Sequence, residues 1–470
     1  MANNDITFTR PEHIAACPLW ETERDVCRGP VAVKSRGHKY LPKFEPDNTT
    51  AKNNQRNADY LMRAVFYAIT GHTKIGLLGL AYRRSPALVI PDKLDYLKAN
   101  AEGAGTSIYQ QSQETLENIL EVGRHGLYVD YNETDKQSVI LAYTAEAIIN
   151  WRTERINGKN KLVLVVLREC VEKADGFGFK DEIQYRELAL EDGKFVARVW
   201  RKSSDTAAVY AAGDTYTPVP FGKDSWDEIP FTFIGAQNND PTIDDSPLGA
   251  LVEINLGHYR NSADYEDSVF FCGQIQPWIS GLTKEWRDHL EKKGVAIGSR
   301  SPLLLPDKGG AAGFLQGQPN MIVKEAMDDK KAYMIALGAR LLEPNGAVKT
   351  ATEASGDQAA ATSVLGICCS NVSEAYTQAL KWCARYLGQP EEKINYEISQ
   401  EFIAKLVDAQ IITAIVSAWM NKALPKEDMI RTLQKMDVID PGKDINDVID
   451  ALSVEGPTFV EVAAKTQVEE

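Results

Sequence analysis

Apolar positions recur at helical spacing early in the chain and at strand-like spacing in its second quarter. From Tyr60 onward, Leu61, Ala64, Val65, Ala68 and Ile69 keep the three-to-four-residue interval of one helix face, with Asn57-Ala58-Asp59 as a cap. Ser85-Pro86 ends that pattern, Pro91-Asp92 opens a short helix, and Ile108, Leu116, Ile119 and Leu120 mark another over 107–122. Residues 126–235 then change period. The runs 138–143, 162–167, 186–190, 195–200 and 229–234 read as strands, and Asp192-Gly193 between two of them is a hairpin signal. Helices followed by a block of antiparallel strands is α+β order.

The second half is helical again. Over 247–271, Leu248, Leu251, Val252, Asn255, Tyr259, Ser262 and Ala263 share a face, with Ser246 and Pro247 as the start. That face is half polar, which suits a partly wet interface between subunits. Residues 273–319 are rich in Pro and Gly, with a charged helix over 284–293 and a short strand over 301–305. A helix over 321–342 stops at Glu343-Pro344-Asn345-Gly346, and a link leads to one long helix over 353–387. A strand over 394–398 and helices over 399–452 complete the chain. Residues 1–55, with Pro30, Pro42 and Pro46, read as an irregular extended arm.

Composition narrows the classes. With 470 residues, 44% hydrophobic and 25% charged, the chain is an ordinary globular protein and not a disordered or fibrous one. A net charge of −14 argues against tight, sequence-reading nucleic-acid binding, which is driven by phosphate neutralisation. Seven cysteines without a C-x-x-C read as reduced thiols. The polar first ten residues predict no signal peptide, and no apolar run approaches the ~18 residues of a membrane span.

No enzyme motif emerges. The phosphate loop, H-E-x-x-H, G-x-S-x-G and G-x-G-x-x-G patterns are missing, and the six histidines lack metal-ligand spacing. Gly176-Phe177-Gly178-Phe179 reads as a loop turn. Asp264, Glu266 and Asp267 make an acidic cluster on the 247–271 helix, near His258. Paired carboxylates can serve acid–base chemistry, but a solvated acidic face is the simpler reading.

The order of elements resembles the portal, or head-to-tail connector, proteins of tailed double-stranded DNA bacteriophages. The stretches that carry the resemblance are Tyr143-Thr144-Ala145-Glu146-Ala147-Ile148-Ile149-Asn150-Trp151-Arg152 with Val165-Val166-Leu167-Arg168-Glu169, then Ile229-Pro230-Phe231, Ser246-Pro247-Leu248, Asn255, His258-Tyr259 and Ala263-Asp264. Thr350-Ala351-Thr352-Glu353-Ala354, between two helices, resembles the end of a portal tunnel loop. The resemblance implies an α+β portal-type fold with a β-rich wing, two stem helices, a small α/β clip, a long wing helix and a helical crown. It places an arm at 1–55, the wing at 56–245, stem helices at 246–272 and 320–342, and the clip at 273–319. The tunnel loop falls at 343–352, the long wing helix and strand at 353–398, and the crown at 399–470.

The implied role is a ring, dodecameric in the virion, at one capsid vertex, through which double-stranded DNA is packaged and ejected. Assembly would take place in the host cytoplasm, with no catalytic residue, cofactor, metal or membrane. Implied partners are further copies of the chain, DNA held weakly and without sequence preference, the terminase large subunit, a head-completion adaptor, and the major capsid and scaffolding proteins. Asn345, Gly346, Lys349, Thr350 and Thr352 would stand in the DNA channel. Lys324, Lys330, Lys331, Asp264, Glu266 and Asp267 are further lumen candidates. Trp286, Lys292, Lys293, Leu304 and Lys308 would dock terminase or adaptor. The competing readings are another virion or tail-connector protein, and a hydrolase or transferase built on Asp264, Glu266 and His258.

Overall fold

The computed structural model describes residues 5–202, 209–274, 276–294, 309–317, 321–341, 363–400, 402, 409–421, 423–435, 439, 445, 448 and 449; the side chains of 293 and 409–413 lie outside the description. The chain divides into two units, Met1–Phe402 and Ile403–Glu470.

In the first unit, two antiparallel sheets share a core with two helices. Strands β2 (Arg124–Asn132), β3 (Gln137–Thr144) and β9 (Phe231–Gly235) form one sheet in the order β3-β2-β9. Strands β4 (Ile148–Ile156), β5 (Lys159–Asp175), β6 (Gly178–Glu191), β7 (Lys194–Lys202) and β8 (Tyr210–Ala212) form the other as a meander. The Asp192-Gly193 turn closes β6 onto β7 with Glu191 opposite Lys194, both turn residues at positive φ (48° and 75°), as a two-residue hairpin of this twist requires. Asn157-Gly158 (51° and 81°) does the same for β4 and β5. That Asn-Gly was a hairpin signal of equal strength.

Helices α5 (Ile108–Val122) and α9 (Val364–Tyr386) lie against these sheets. Leu116, Ile119 and Leu120 of α5 and Val372, Tyr376 and Leu380 of α9 meet Leu127, Val129, Val165, Leu188 and Phe233 in one buried cluster. Ser107 caps α5 by accepting from the Gln110 amide, and Gly123 ends it in the left-handed region, where a Cβ would strike the Asp244 carbonyl. The two small strands β1 (Ala87–Val89) and β12 (Asn395–Glu397) pair antiparallel.

A buried ion network ties the two sheets together. Arg186 on β6 donates to Glu169 on β5 (2.7 Å) and to Asp130 on β2 (3.3 Å), and Tyr143 on β3 donates to Glu169 (2.6 Å). Burial pushes the Glu169 carboxyl up, but the Arg186 charge and the hydrogen bonds from Arg186, Tyr143 and Gln184 outweigh it and hold Glu169 below the ordinary carboxylate value.

The first 55 residues correct the sequence reading. They are largely folded helix: α1 (Pro11–Arg28), α2 (Pro30–Ser35) and the start of α3 (Ala51–Arg63), with Trp20, Val26, Val33, Tyr40 and Leu41 buried. Pro11 and Pro30 sit in first turns, where the missing N–H costs nothing. The buried positions of α1 are His13, Trp20, Asp25, Val26 and Cys27, with Cys17 and Arg24 half-buried, a mixed polar and weakly hydrophobic set. Arg24 pairs with Glu121 of α5 and with Glu146, and Lys74 on α4 (Ile69–Ala81) reaches Glu121 as well. A charge-filled inner face conceals a helix from a hydrophobicity count. Thr50, not Asn57, caps α3, and Asn57 is buried inside it.

In the second unit, α10 (Ala409–Met420) and α11 (Lys426–Lys435) are helical, and Met429, Ile430 and Leu433 gather Ile415, Trp419 and Leu424 around them. Among the described residues, no helix is long and apolar enough to cross a membrane.

Candidate functional site

The lumen and docking residues that fall within the described chain belong to one helix pair and the subdomain it carries. Helix α6 (Gly249–Gly273) runs out, β10 (Gln276–Ser280), α7 (Lys284–Lys293) and β11 (Ala311–Leu315) follow, and α8 (Met321–Arg340) returns. Gln276 stands opposite Leu315, the Gln316 amide reaches the Cys272 carbonyl, and Lys330 lies over Gly257, so α6 and α8 are antiparallel.

Asn255 and Ser262 of α6 are satisfied inside the chain, while the Tyr259 hydroxyl and His258 Nδ1 are buried without a hydrogen-bond partner among the described residues; the face packs within the chain, which overturns the expectation of a wet interface between subunits there. Asn255 accepts from the Thr70 hydroxyl (2.9 Å) and donates to the Tyr67 carbonyl (2.9 Å). Ser262 donates to the Val65 carbonyl (2.7 Å), and Arg260 donates to the Tyr40 carbonyl (3.1 Å). Half-polar spacing here reflects a helix seated on the irregular segment 64–68, whose backbone groups need partners. His258 is buried against Tyr67 (ring centroids 4.5 Å apart). Burial, and then the charges of Lys330 and Lys331, hold its imidazole below the ordinary value.

Asp267, one of the lumen candidates, is buried and ion-paired with both Arg56 and Arg63 of α3, so it faces the chain's own arginines. Asp264 accepts from the Tyr60 hydroxyl (2.5 Å), while Glu266 stays half-buried. The Arg56 guanidinium also lies over Phe44 and Phe271, and that of Arg63 lies 3.6 Å from the Phe270 ring centre. Arg56, Tyr60 and Arg63 recur at i, i+4 and i+7, a basic–aromatic strip legible in the sequence and missed there. The helix starts at Gly249 with Leu248 at its N-cap, so Ser246 stands ahead of it and does not cap it: it accepts from the Leu248 amide and donates to the Glu121 carbonyl.

The remaining candidates are scattered along the pair. Lys324 and Lys331 are exposed on α8, and Lys330 is half-buried against α6. Thr283 caps α7, on which Trp286 is half-buried beside the His289 ring and Lys292 is exposed. The Lys293 side chain, Leu304, Lys308 and the expected strand 301–305 lie outside the described residues. So do Asn345, Gly346, Lys349, Thr350, Thr352 and the first turns of the expected 353–387 helix.

Helix α8 is the exceptional element. Of its twenty residues only Met334 is buried, while Met321, Ile322, Tyr333 and Ile335 are exposed. At about 100° per residue, Tyr333 and Ile322 fall on one flank of Met334, and Ile335 and Met321 on the other. Beyond the helix ends, Phe271, Trp278, Phe314 and Leu315 are exposed too.

A family model described as a domain of unknown function, DUF4055, matches residues 247–387, which takes in α6 to α9. No curated protein sequence matches the chain. Among solved structures, the neck of a native gene transfer agent (GTA) particle computed with C12 symmetry is 17% identical, over 80% of this chain and 93% of that one, at a TM-score of 0.40. The neck of an empty GTA particle computed with C6 symmetry is 16% identical, over 77% and 89%, at 0.39. An HK97-family phage portal protein from Corynebacterium diphtheriae is 11% identical, over 73% and 94%, at 0.32. The chain is similar to particle-neck and phage portal proteins. At such identities no residue's role transfers from them.

Proposed function

We propose that this protein is a portal-type ring subunit, placed at one capsid vertex and forming the channel through which double-stranded DNA is packaged and ejected. The single observation that carries the reading is α8. A helix that buries one side chain and turns apolar residues to both flanks lacks the tertiary burial that stabilises most protein helices. Copies on either side supply it. Two different flanks, each meeting a different neighbour surface, make a heterologous contact, which generates a ring where the rotation between copies closes. In this reading α6 and α8 are the stem, residues 273–319 the clip that meets terminase and later an adaptor, and the two sheets with α5 and α9 the wing. Residues 343–352 are the tunnel loop, and α10 and α11 belong to a crown. The subunit is structural, and the packaging motor's phosphate chemistry resides in another protein.

Negative-stain electron microscopy of the purified protein, with its mass in solution, tests this. Rings of about twelve subunits with a central hole are expected; a compact monomer at every salt and protein concentration would sink the reading. Deletion of residues 346–351 is expected to leave rings intact while DNA packaging falls, and normal packaging by that variant would remove the tunnel-loop assignment alone.

A further inference from the structure

The pair α6 and α8 encloses a titratable group that the ring reading leaves unused. His258 stands at the seam where α6 meets α8 and the irregular segment 64–68. Its ring lies against Tyr67, with centroids 4.5 Å apart, and the Lys330 side chain crosses α6 at Gly257, the preceding residue. The imidazole is 1% exposed, and its Nδ1 is buried with no hydrogen-bond partner among the described residues.

The charges around it are one-sided. On its own helix the positions three and four residues away are Ile254, Asn255, Asn261 and Ser262, all uncharged. Segment 64–68 offers one titratable group, Tyr67, and α4 reaches this stretch of α6 through the neutral pair Thr70 and Asn255. The charged groups that bear on the ring are on α8: two cations, Lys330 and Lys331, against one carboxylate, Asp328.

Protonating His258 in this place has three costs. It puts a charge where water does not reach. It sets a third cation beside two others. In the cation both ring nitrogens are donors, so the Nδ1 proton is buried without an acceptor. Asp328 opposes these effects and is outweighed, and the imidazole is held below its ordinary value of 6.5, by burial first and then by the two lysines. The sign follows by linkage. A ring released from the seam takes up its proton more readily than the enclosed one. The contribution of the neutral ring is therefore complete above the free value and is lost as pH falls through that value toward the folded one.

We infer that His258 is a proton-operated release for α8: protonation of its imidazole separates α8 from α6 and, in a ring, undoes the contacts that α8 makes with neighbouring copies. The release is a property of one subunit, and only its effect on assembly rests on the ring reading.

Hydrogen exchange of the full-length protein tests it, followed by mass spectrometry on peptides covering 321–341 at pH 7.5 and pH 5.5 and corrected for the intrinsic pH dependence of exchange. At pH 5.5 a free imidazole is protonated about ten to one, so opening of α8 is expected to rise about tenfold. His258→Gln keeps a polar side chain and His258→Phe keeps the ring against Tyr67; neither titrates in this range, and both are expected to abolish the rise. Sedimentation velocity on the same samples reads assembly: wild-type rings are expected to need at least about tenfold more protein at pH 5.5, and the variant rings no more than at pH 7.5. A wild type whose α8 exchange is unchanged at pH 5.5 overturns the release and leaves the ring reading standing. Variants that open in acid as the wild type does also overturn it, and assign the effect to another group, the buried His125 first. A wild type that is monomeric throughout, whose α8 opens in acid while the α8 of the variants does not, supports the release and overturns the ring.

Discussion

A Tyr333→Asp/Ile335→Asp variant is expected to be a folded monomer. The two residues stand on opposite flanks of Met334, both exposed, so the substitution puts a charge on each side of α8 without touching its contact with α6. In a ring, each flank is covered, and fully burying such a side chain is worth about 1.5–3 kcal/mol. Replacing it by a carboxylate forfeits that and adds the cost of desolvating a charge. Since every subunit makes both contacts, the loss recurs at every interface and the ring does not close. The measurement is mass in solution, with circular dichroism to show that helix content is kept. A variant that forms rings at the wild-type concentration would show that α8 is not at the interface. A single change, Tyr333→Asp, is expected to weaken every interface by a smaller amount and raise the protein concentration at which rings form, because each interface keeps the contact of the other flank.

The largest effect inside one subunit belongs to Arg186→Met. The variant preserves the aliphatic stem but leaves Glu169 and Asp130 without their cation, both carboxylates under 20% exposed. Removing one partner from a buried ion network is costly because the other charge stays buried; with these groups close to the surface the loss is about 3 kcal/mol at neutral pH. The sign of its pH dependence follows from Glu169. Its folded-state pKa is depressed, so its contribution is present above the unfolded carboxylate value and is lost as pH falls through the folded value. In the variant the buried carboxyl instead gains by taking up a proton. The gap between wild type and variant in urea unfolding, followed by tryptophan fluorescence, is therefore expected to narrow from pH 7 to about pH 4. A gap of constant size would mean that Arg186 acts through packing over Tyr128 alone.

Much of the fold was legible because local rules and tertiary needs agreed. The Asp192-Gly193 turn, the α7 boundaries and the helices α5, α6 and α8 follow from turn chemistry, caps and period. Asn157-Gly158 was as legible and was passed over. Strands β10 and β11 were not legible, since Pro277, Gly313 and two alanines in a five-residue pair give no strand signal until the helices on either side bring them together. The candidate site divides in the same way. Its helices could be placed from the chain alone, but Asp267 could not be assigned a direction, because acidic residues three positions apart on one helix can face water or arginine equally well.

What the sequence determined by itself is the α+β class, the order of most elements after residue 55, the absence of familiar catalytic patterns and an acidic balance, all properties of residues close along the chain. What the tertiary structure decided is which polar groups are committed within one subunit. His13, Cys17, Trp20, Arg24 and Cys27 look like a broken pattern until α5 and Glu146 provide the charges that Arg24 meets. Asn255, Ser262 and Asp267 look like a wet surface until residues 56–70 cover them. Burial of a polar side chain depends on a partner some 200 residues away, and no window along the sequence contains both. The same physics singles out α8, whose apolar flanks find no partner among the described residues and so point to another copy of the chain.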